Sequence, residues 1–265
     1  MNQLWHWQTW QDCSYLTCDL LKSWEHGFFT QEFYPRTPED LTSILQPQST
    51  AYRVRQIHGN EVLTTREILS IISTENSSDS LARADGVISD RSGQSVWVAS
   101  ADCTPVLIGD LTTRQTCAVH AGWRGTAQKI VPQAISKFLN SGSQLNDLRI
   151  AVGPAISGEV YQVDESVAVD VGKSIISDNF NLTEREILQK LKQLAKTPIL
   201  DDELSGKVRL DVSRVNQIQL EQLGLDSRQI AIAPYCTFRQ SKTFFSYRRT
   251  GEKKVQWSGI VSNQI

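Results

Sequence analysis

The sequence predicts a layered domain of the α/β or α+β class. Short apolar runs rich in β-branched residues recur between turn signals, and polar stretches of helical length with cap residues fall among them. No internal repeat and no long linker divides the 265 residues. A chain of this length suits one large domain or two small ones, and the mixed spacing of strands and helices reads residues 1–265 as a single domain.

The elements follow in order. Trp5, Trp7 and Thr9 alternate as on a strand, and the aromatic and histidine residues of that region are read as packing groups. Tyr34-Pro35-Arg36-Thr37-Pro38 predicts a turn and a short helix with Thr37 as its cap. Pro38 suits the first helical position, where its fixed φ is already helical and its missing N–H has no partner to lose. Ser73 to Ser80 reads as a polar loop. Gln94–Ala101, Val106–Ile108 and Thr116–Val119 are three strands separated by turns. Gly122-Trp123-Arg124-Gly125 breaks the pattern, and Thr126 caps a helix to about Leu139 that Pro132 bends or shortens. Arg149–Val152 is a further strand closed by Gly153-Pro154. Thr183–Lys196 and Ser213–Leu223 read as helices, the second ended by Gly224, and Ile230–Ala233, Phe244–Tyr247 and Val255–Val261 as strands.

Composition narrows the function classes. Lys and Arg number 27 against 29 Asp and Glu, a net charge of −2, so no basic face is expected for a phosphate backbone and nucleic acid is a poor partner. The amino terminus has neither a basic nor an apolar leader region, and no run is long enough to cross a bilayer. Five cysteines, odd in number and without CxxC spacing, fit a reducing compartment, and the expected location is the cytoplasm.

The polar punctuation between the strands carries the chemistry. His58, Cys103 and His120 stand in turns or at strand ends, in a chain with only four histidines and five cysteines. Two imidazoles and a thiolate suit zinc, and three ligands leave the fourth tetrahedral position for water or substrate. Spacing alone leaves a second reading open, in which Cys103 is a small buried hydrophobe and the histidines are hydrogen-bonded loop residues.

The flanking strings are more specific. Gln-Ile-His-Gly (56–59), Ala-Asp-Gly-Val-Ile-Ser-Asp (84–90), Ala-Asp-Cys-Thr-Pro-Val (101–106), His-Ala-Gly-Trp-Arg-Gly (120–125), Val-Gly-Pro-Ala-Ile (152–156) and Phe-Phe-Ser-Tyr-Arg-Arg (244–249) occur in this order. Together they resemble the laccase-domain, polyphenol oxidase-like family, whose members are described as purine nucleoside phosphorylases with adenosine deaminase activity. The likeness runs from about residue 51 to the end. It implies an α+β fold of mixed β-sheets flanked by helices, and places the family's zinc ligands on His58, Cys103 and His120. It also implies purine nucleosides (adenosine, inosine, methylthioadenosine) and phosphate as substrates. The chain departs from the pattern after His26-Gly27-Phe28-Phe29-Thr30, where the family's Asn-Arg pair is missing; Arg36, Arg53 and Arg55 are the nearest arginines, and none matches the motif.

Residue chemistry bears on what such a site does. A multicopper oxidase needs a cluster built mainly from imidazoles, which four histidines cannot supply, and the single methionine is Met1; copper remains the alternative ion because it outcompetes zinc at most nitrogen and sulfur sites. The turn at 122–125 leading into a helix offers backbone N–H groups to an oxyanion. Arg124, Arg248 and Arg249 are the expected cationic partners of phosphate, against the plainer reading of surface charges or ion pairs. Asp102 is the first choice of general acid/base, provided the strand has ended before Cys103, since neighbouring strand residues face opposite ways. Asp85 and Asp164 are alternatives, read otherwise as turn caps or as supports of a histidine. Tyr247 and Phe245 are core residues or purine-stacking groups. Cys236 matches the family pattern without an implied metal role, and Cys13, Cys18 and Cys117 are packing residues. Two other functions stay open: a thiol hydrolase or amidase acting on a cell-wall precursor, with Cys103 as nucleophile and His120 as its base, and a non-catalytic zinc module.

Overall fold

The computed structural model describes residues 4–74, 81–177 and 181–263. Six strands form a first sheet, in the order β1 (Trp5–Trp10), β2 (Cys13–Cys18), β3 (His26–Phe29), β15 (Gln256–Val261), β7 (Gln94–Ser100) and β4 (Thr50–Tyr52). A second runs β14 (Ile230–Ile232), β10 (Leu148–Val152), β8 (Thr104–Asp110), β9 (Thr116–Ala121), β6 (Gly86–Ile88) and β5 (Val62–Thr64). Both are mixed, because β4 pairs in parallel with β7, β5 with β6 and β10 with β14, while the other neighbours are antiparallel. A small antiparallel sheet joins β11 (Gln162–Asp164), β13 (Lys207–Leu210) and β12 (Ile199–Asp201).

Side-chain alternation explains how the layers stack. Val96 and Val98 of β7 pack into one cluster with Phe28, Leu107, Ala118 and Ala151, so the two large sheets bury these faces against each other. Trp97 points the opposite way and packs with Phe29 and Leu41 of α1 (Pro38–Leu45). On β8 and β9, Val106, Ile108 and Val119 leave the intersheet core for the far face. There they meet Ile130, Ile135 and Phe138 of α4 (Ile130–Asn140) and Leu220 of α7 (Val212–Gln222). Strands covered on both faces read as unbroken apolar runs, which is why this region is the clearest in the sequence. The small sheet packs with α5 (Glu165–Gly172) and α6 (Glu184–Gln193) around Val169, Ile187, Leu191 and Val208.

The α+β expectation of mixed sheets flanked by helices holds. Thr37 caps α1 as predicted, in a reciprocal box with Asp40, and Gly224 follows α7 at φ +98°, a left-handed conformation that a side chain resists. Three expectations change. Phe244–Tyr247 is not a strand: Ser246 caps a short helix, α8 (Tyr247–Thr250), accepting the Arg249 N–H. The predicted Thr126 helix begins earlier, as α3 (Trp123–Ala127) capped by Gly122, and restarts as α4 after Lys129 in the left-handed region; Pro132 then sits in the first turn of α4, where it breaks no hydrogen bond. Finally, Ser73 and Thr74 close α2 (Thr65–Thr74), and residues 75–80 of the expected loop lie outside the described residues. No helix among the described residues is long and apolar enough to cross a membrane.

Candidate metal centre and active site

Strand register brings the three predicted ligands together. Thr104 at the start of β8 pairs with Ala121 at the end of β9, and Pro105 with His120, so the turn carrying Cys103 abuts the end of β9. That turn, residues 101–103, is also where the chain crosses from the first sheet to the second. His58 arrives on the loop between β4 and β5. The ligating atoms of His58, Cys103 and His120 all lie within 4.8 Å of one another, and the two imidazole rings stand nearly perpendicular with centroids 4.9 Å apart.

One buried carboxylate positions two of the three. Asp85 receives the N–H groups of Ile57 (3.2 Å), His58 (2.9 Å) and Gly59 (2.7 Å), which fixes the His58 loop with His58 itself at φ +61°. Its Oδ1 also lies 2.9 Å from His120 Nδ1, and its backbone oxygen accepts the His120 N–H. With Nδ1 engaged, His120 turns Nε2 toward the cluster, as a metal-bound histidine requires. Burial pushes the Asp85 carboxyl up, but the contacts from His120, Gly59 and Ile57 outweigh it and hold the group below the usual carboxylate range.

Cys103 and His120 shift in opposite directions. Burial raises the Cys103 thiol, yet hydrogen bonds and charge from His120 and His58 overcome that and bring it to about 6. Burial lowers His120, and Asp85 and Cys103 raise it to about 9. Gly122 completes the cradle: a Cβ there would lie 3.1 Å from Cys103 Sγ and 3.4 Å from the His58 ring, so only glycine leaves the space among the ligands open. Two nitrogens, one readily formed thiolate and a glycine that keeps side-chain atoms from between them fit a zinc or copper ion. The remaining histidines are committed elsewhere. His6 pairs with Asp19, and buried His26 is held by the Cys18 N–H and the Trp24 carbonyl.

Asp102 sits at φ +91° after β7 has ended, the condition under which it and Cys103 both face one pocket. Its carboxylate accepts the Thr237 hydroxyl and the Arg248 backbone N–H, each at 2.7 Å. That pocket, about 30 Å3, is lined by Asp102, Cys103, Gly122, Trp123, Ile156 and Tyr161 among others. A larger cleft of about 570 Å3, lined by Ser157, Asp211, Tyr235 and Cys236, shares Ile156 with it.

The three arginines differ in placement. The Arg124 guanidinium lies 4.2 Å from the Trp123 ring centroid and that of Arg248 4.9 Å from the Tyr161 ring. Among the described residues neither has a carboxylate partner; Arg248 Nη1 donates to the Gln162 carbonyl. Arg249 instead donates to the carbonyls of Thr237, Phe238 and Phe244, bracing the loop that holds Asp102. Asp164 pairs with Lys207, Phe245 packs edge-on against Tyr34, and Tyr247 is 55 % exposed, so none of these lines the pocket. Arg36 and Arg53 stack near Trp10 and Trp257. The aromatic wall is made by Trp123 and Tyr161, which no local pattern marks as a pair because α3 and the small sheet bring them together only in the fold. Burial raises the Tyr161 phenol to about 12, with the Cys103 charge adding to it and Arg248 opposing.

Known proteins resemble this chain over most of its length. A purine nucleoside phosphorylase of Synechocystis sp., slr1573, is 53 % identical over 261 residues, covering 98 % of each chain. A purine nucleoside phosphorylase of Bacteroides thetaiotaomicron is 28 % identical over 84 % of this chain and 74 % of its own. Adenosine deaminase RL5, from an unknown prokaryotic organism, is 24 % identical over 80 % and 72 %. Among solved structures, YlmD from Geobacillus stearothermophilus superposes with a TM-score of 0.79 at 20 % identity, covering 97 % of this chain and 99 % of that one, which shows the shared fold. The model of the multi-copper polyphenol oxidoreductase laccase family matches residues 38–262, and the chain belongs to that family.

Proposed function

We propose that this protein is a zinc-dependent purine nucleoside phosphorylase that also deaminates adenosine. The observation that carries the reading is the convergence of His58, Cys103 and His120 on one cradle, next to a pocket whose Trp123 and Tyr161 carry two arginines without a carboxylate partner among the described residues. The 53 % identical relative named purine nucleoside phosphorylase supports the first activity and the more distant adenosine deaminase the second. Copper oxidase chemistry of the multicopper kind lacks ligands, because His6 and His26 are held away from the cluster.

Each side chain has a part. His58, Cys103 and His120 hold the ion, and Asp85 keeps His120 in the tautomer that presents Nε2. Zinc bound there supplies Lewis-acid polarisation of a substrate oxygen and acidifies water for deamination. Arg124 and Arg248 neutralise phosphate, with Trp123 and Tyr161 beneath them fixing the guanidinium planes. Asp102 orders the Arg248 backbone and lines the pocket together with Cys103. Arg249 acts on the site by bracing its loop.

A second reading rests on the Cys103–His120–Asp85 alignment, a nucleophile, base and orienting acid for a thiol hydrolase. A nucleoside panel incubated with and without phosphate, followed by mass spectrometry, separates the two. The phosphorylase reading expects ribose 1-phosphate from inosine only when phosphate is present. Absence of any sugar phosphate from adenosine, inosine and methylthioadenosine would sink it.

A further inference from the structure

The hydroxyl of Tyr161 is the polar group at this pocket whose placement the ligand cradle does not explain. Its backbone is fixed at both ends, since its N–H donates to the Ser157 carbonyl and its carbonyl accepts the Leu210 N–H. One face of the ring carries the Arg248 guanidinium at 4.9 Å, and the residue lines the pocket with Cys103 and Asp102. Packing and the stacking of Arg248 would be served equally by a phenylalanine. Yet the phenol lies within electrostatic reach of Cys103, Asp102, Arg124 and Arg248, and among the described residues its hydroxyl has no hydrogen-bond partner. A phenol that reaches solvent at the pocket keeps its donor available to a ligand oxygen.

The surroundings select the kind of oxygen. The Arg248 guanidinium lies over the phenol ring and that of Arg124 over Trp123 of the same pocket, neither with a carboxylate partner among the described residues, and Asp102 has its oxygens turned to the Thr237 hydroxyl and the Arg248 N–H. Such a setting favours an anion. We propose that the Tyr161 hydroxyl donates to inorganic phosphate, completing with Arg124 and Arg248 the three-sided seat that selects phosphate as the attacking group. The proposal deepens the phosphorolysis reading and rests on it for the identity of the anion. In the reaction a phosphate oxygen forms the new bond to the ribose C1′ while the C1′–N9 bond breaks. The bonding pair leaves on the purine, which takes a proton from solvent; Tyr161 keeps its own proton and only donates a hydrogen bond.

The test uses the metal-loaded full chain, inorganic phosphate as the probe, and two variants. Tyr161→Phe keeps the ring that supports Arg248 and removes only the hydroxyl. Loss of a hydrogen bond to a charged group predicts weaker phosphate binding by calorimetry and a higher phosphate KM, each by about 10- to 100-fold. Metal content and the KM for inosine stay as in the wild type, a split that general disruption of the site does not produce. Tyr161→Ala, which also removes the support of Arg248, weakens phosphate further. Unchanged phosphate affinity in Tyr161→Phe overturns the proposal, as does a parallel rise in both KM values. Wild-type protein that binds phosphate but forms no ribose 1-phosphate contradicts the phosphorolysis reading alone, because the calorimetry still tests Tyr161. Wild-type protein that binds no phosphate overturns both.

Discussion

At the residue scale, Asp85 concentrates the organisation of the site. The same carboxylate that orients the His120 ring gathers three N–H groups of the His58 loop, so one charge sets the attitude of two ligands from different parts of the chain. Asp85→Asn keeps the volume but presents an amide N–H to groups that are themselves donors. The expected result is a loss of about 10- to 100-fold in zinc affinity, measured by competition with a chromophoric chelator, with the far-UV spectrum unchanged. Affinity equal to wild type would show that the ligands orient themselves. His58, Cys103 and His120 were legible because each sits in a short string that ties it to a turn. Asp85 was legible only as one of several carboxylates, since nothing local says which histidine it meets. Tyr161 lay outside every quoted string, and its place at the pocket depends on the small sheet folding back toward α3.

At the scale of elements, caps decide where helices begin, and they were read unevenly. Thr37 and Thr183 each make the reciprocal box with the acid three residues on, and both helices were expected. The same signature, Thr64 with Glu67, opens α2, where Glu67 accepts the Thr64 N–H at 2.6 Å and Thr64 Oγ1 accepts the Glu67 N–H. The apolar residues Ile68, Ile71 and Ile72 of α2 stand at helical spacing and turn that face to the core. Asp90 reinforces this start from the next strand turn, accepting the Arg66 N–H and the Thr65 hydroxyl. Burial raises its carboxyl, and the contacts from Thr65, Gln94 and Arg66 overcome that to hold it below the usual aspartate range. A depressed folded value means that the contribution is fully present above about 3.8 and is lost as pH falls through the lower folded value. Asp90→Asn therefore destabilises by about 1 kcal/mol at neutral pH, as loss of a helix cap does. The gap from wild type in denaturant midpoint closes in strong acid; a gap independent of pH would contradict the assignment. Phe244–Tyr247 misled because an aromatic run resembles a strand until Ser246 is recognised as a cap.

For the whole molecule, the two stacked sheets explain why the reactive residues lie in turns and not on strands. The chain leaves the first sheet at Ser100 and enters the second at Thr104, and the three residues between must reverse direction, which places Asp102 in the left-handed region next to Cys103. His58 is held in the same region on its own loop. Non-glycine residues persist there when their surroundings over-determine them, here through Asp85, Thr237 and Arg248. A layered α/β or α+β class followed from strand and helix spacing and the α+β choice from the family resemblance, but the split into two facing sheets followed from neither, because β7 and β8 read as neighbours along the chain while pairing in different sheets. The central claim is that the ion held by His58, Cys103 and His120 is required for nucleoside phosphorolysis. Zinc content and ribose 1-phosphate formation from inosine and phosphate, measured on the same preparations of wild type, chelator-stripped wild type and His58→Ala, test it most directly. The account predicts about one zinc per chain and full activity in the wild type, and loss of both in the other two with the fold retained. Stripped protein that makes ribose 1-phosphate at the wild-type rate would contradict it.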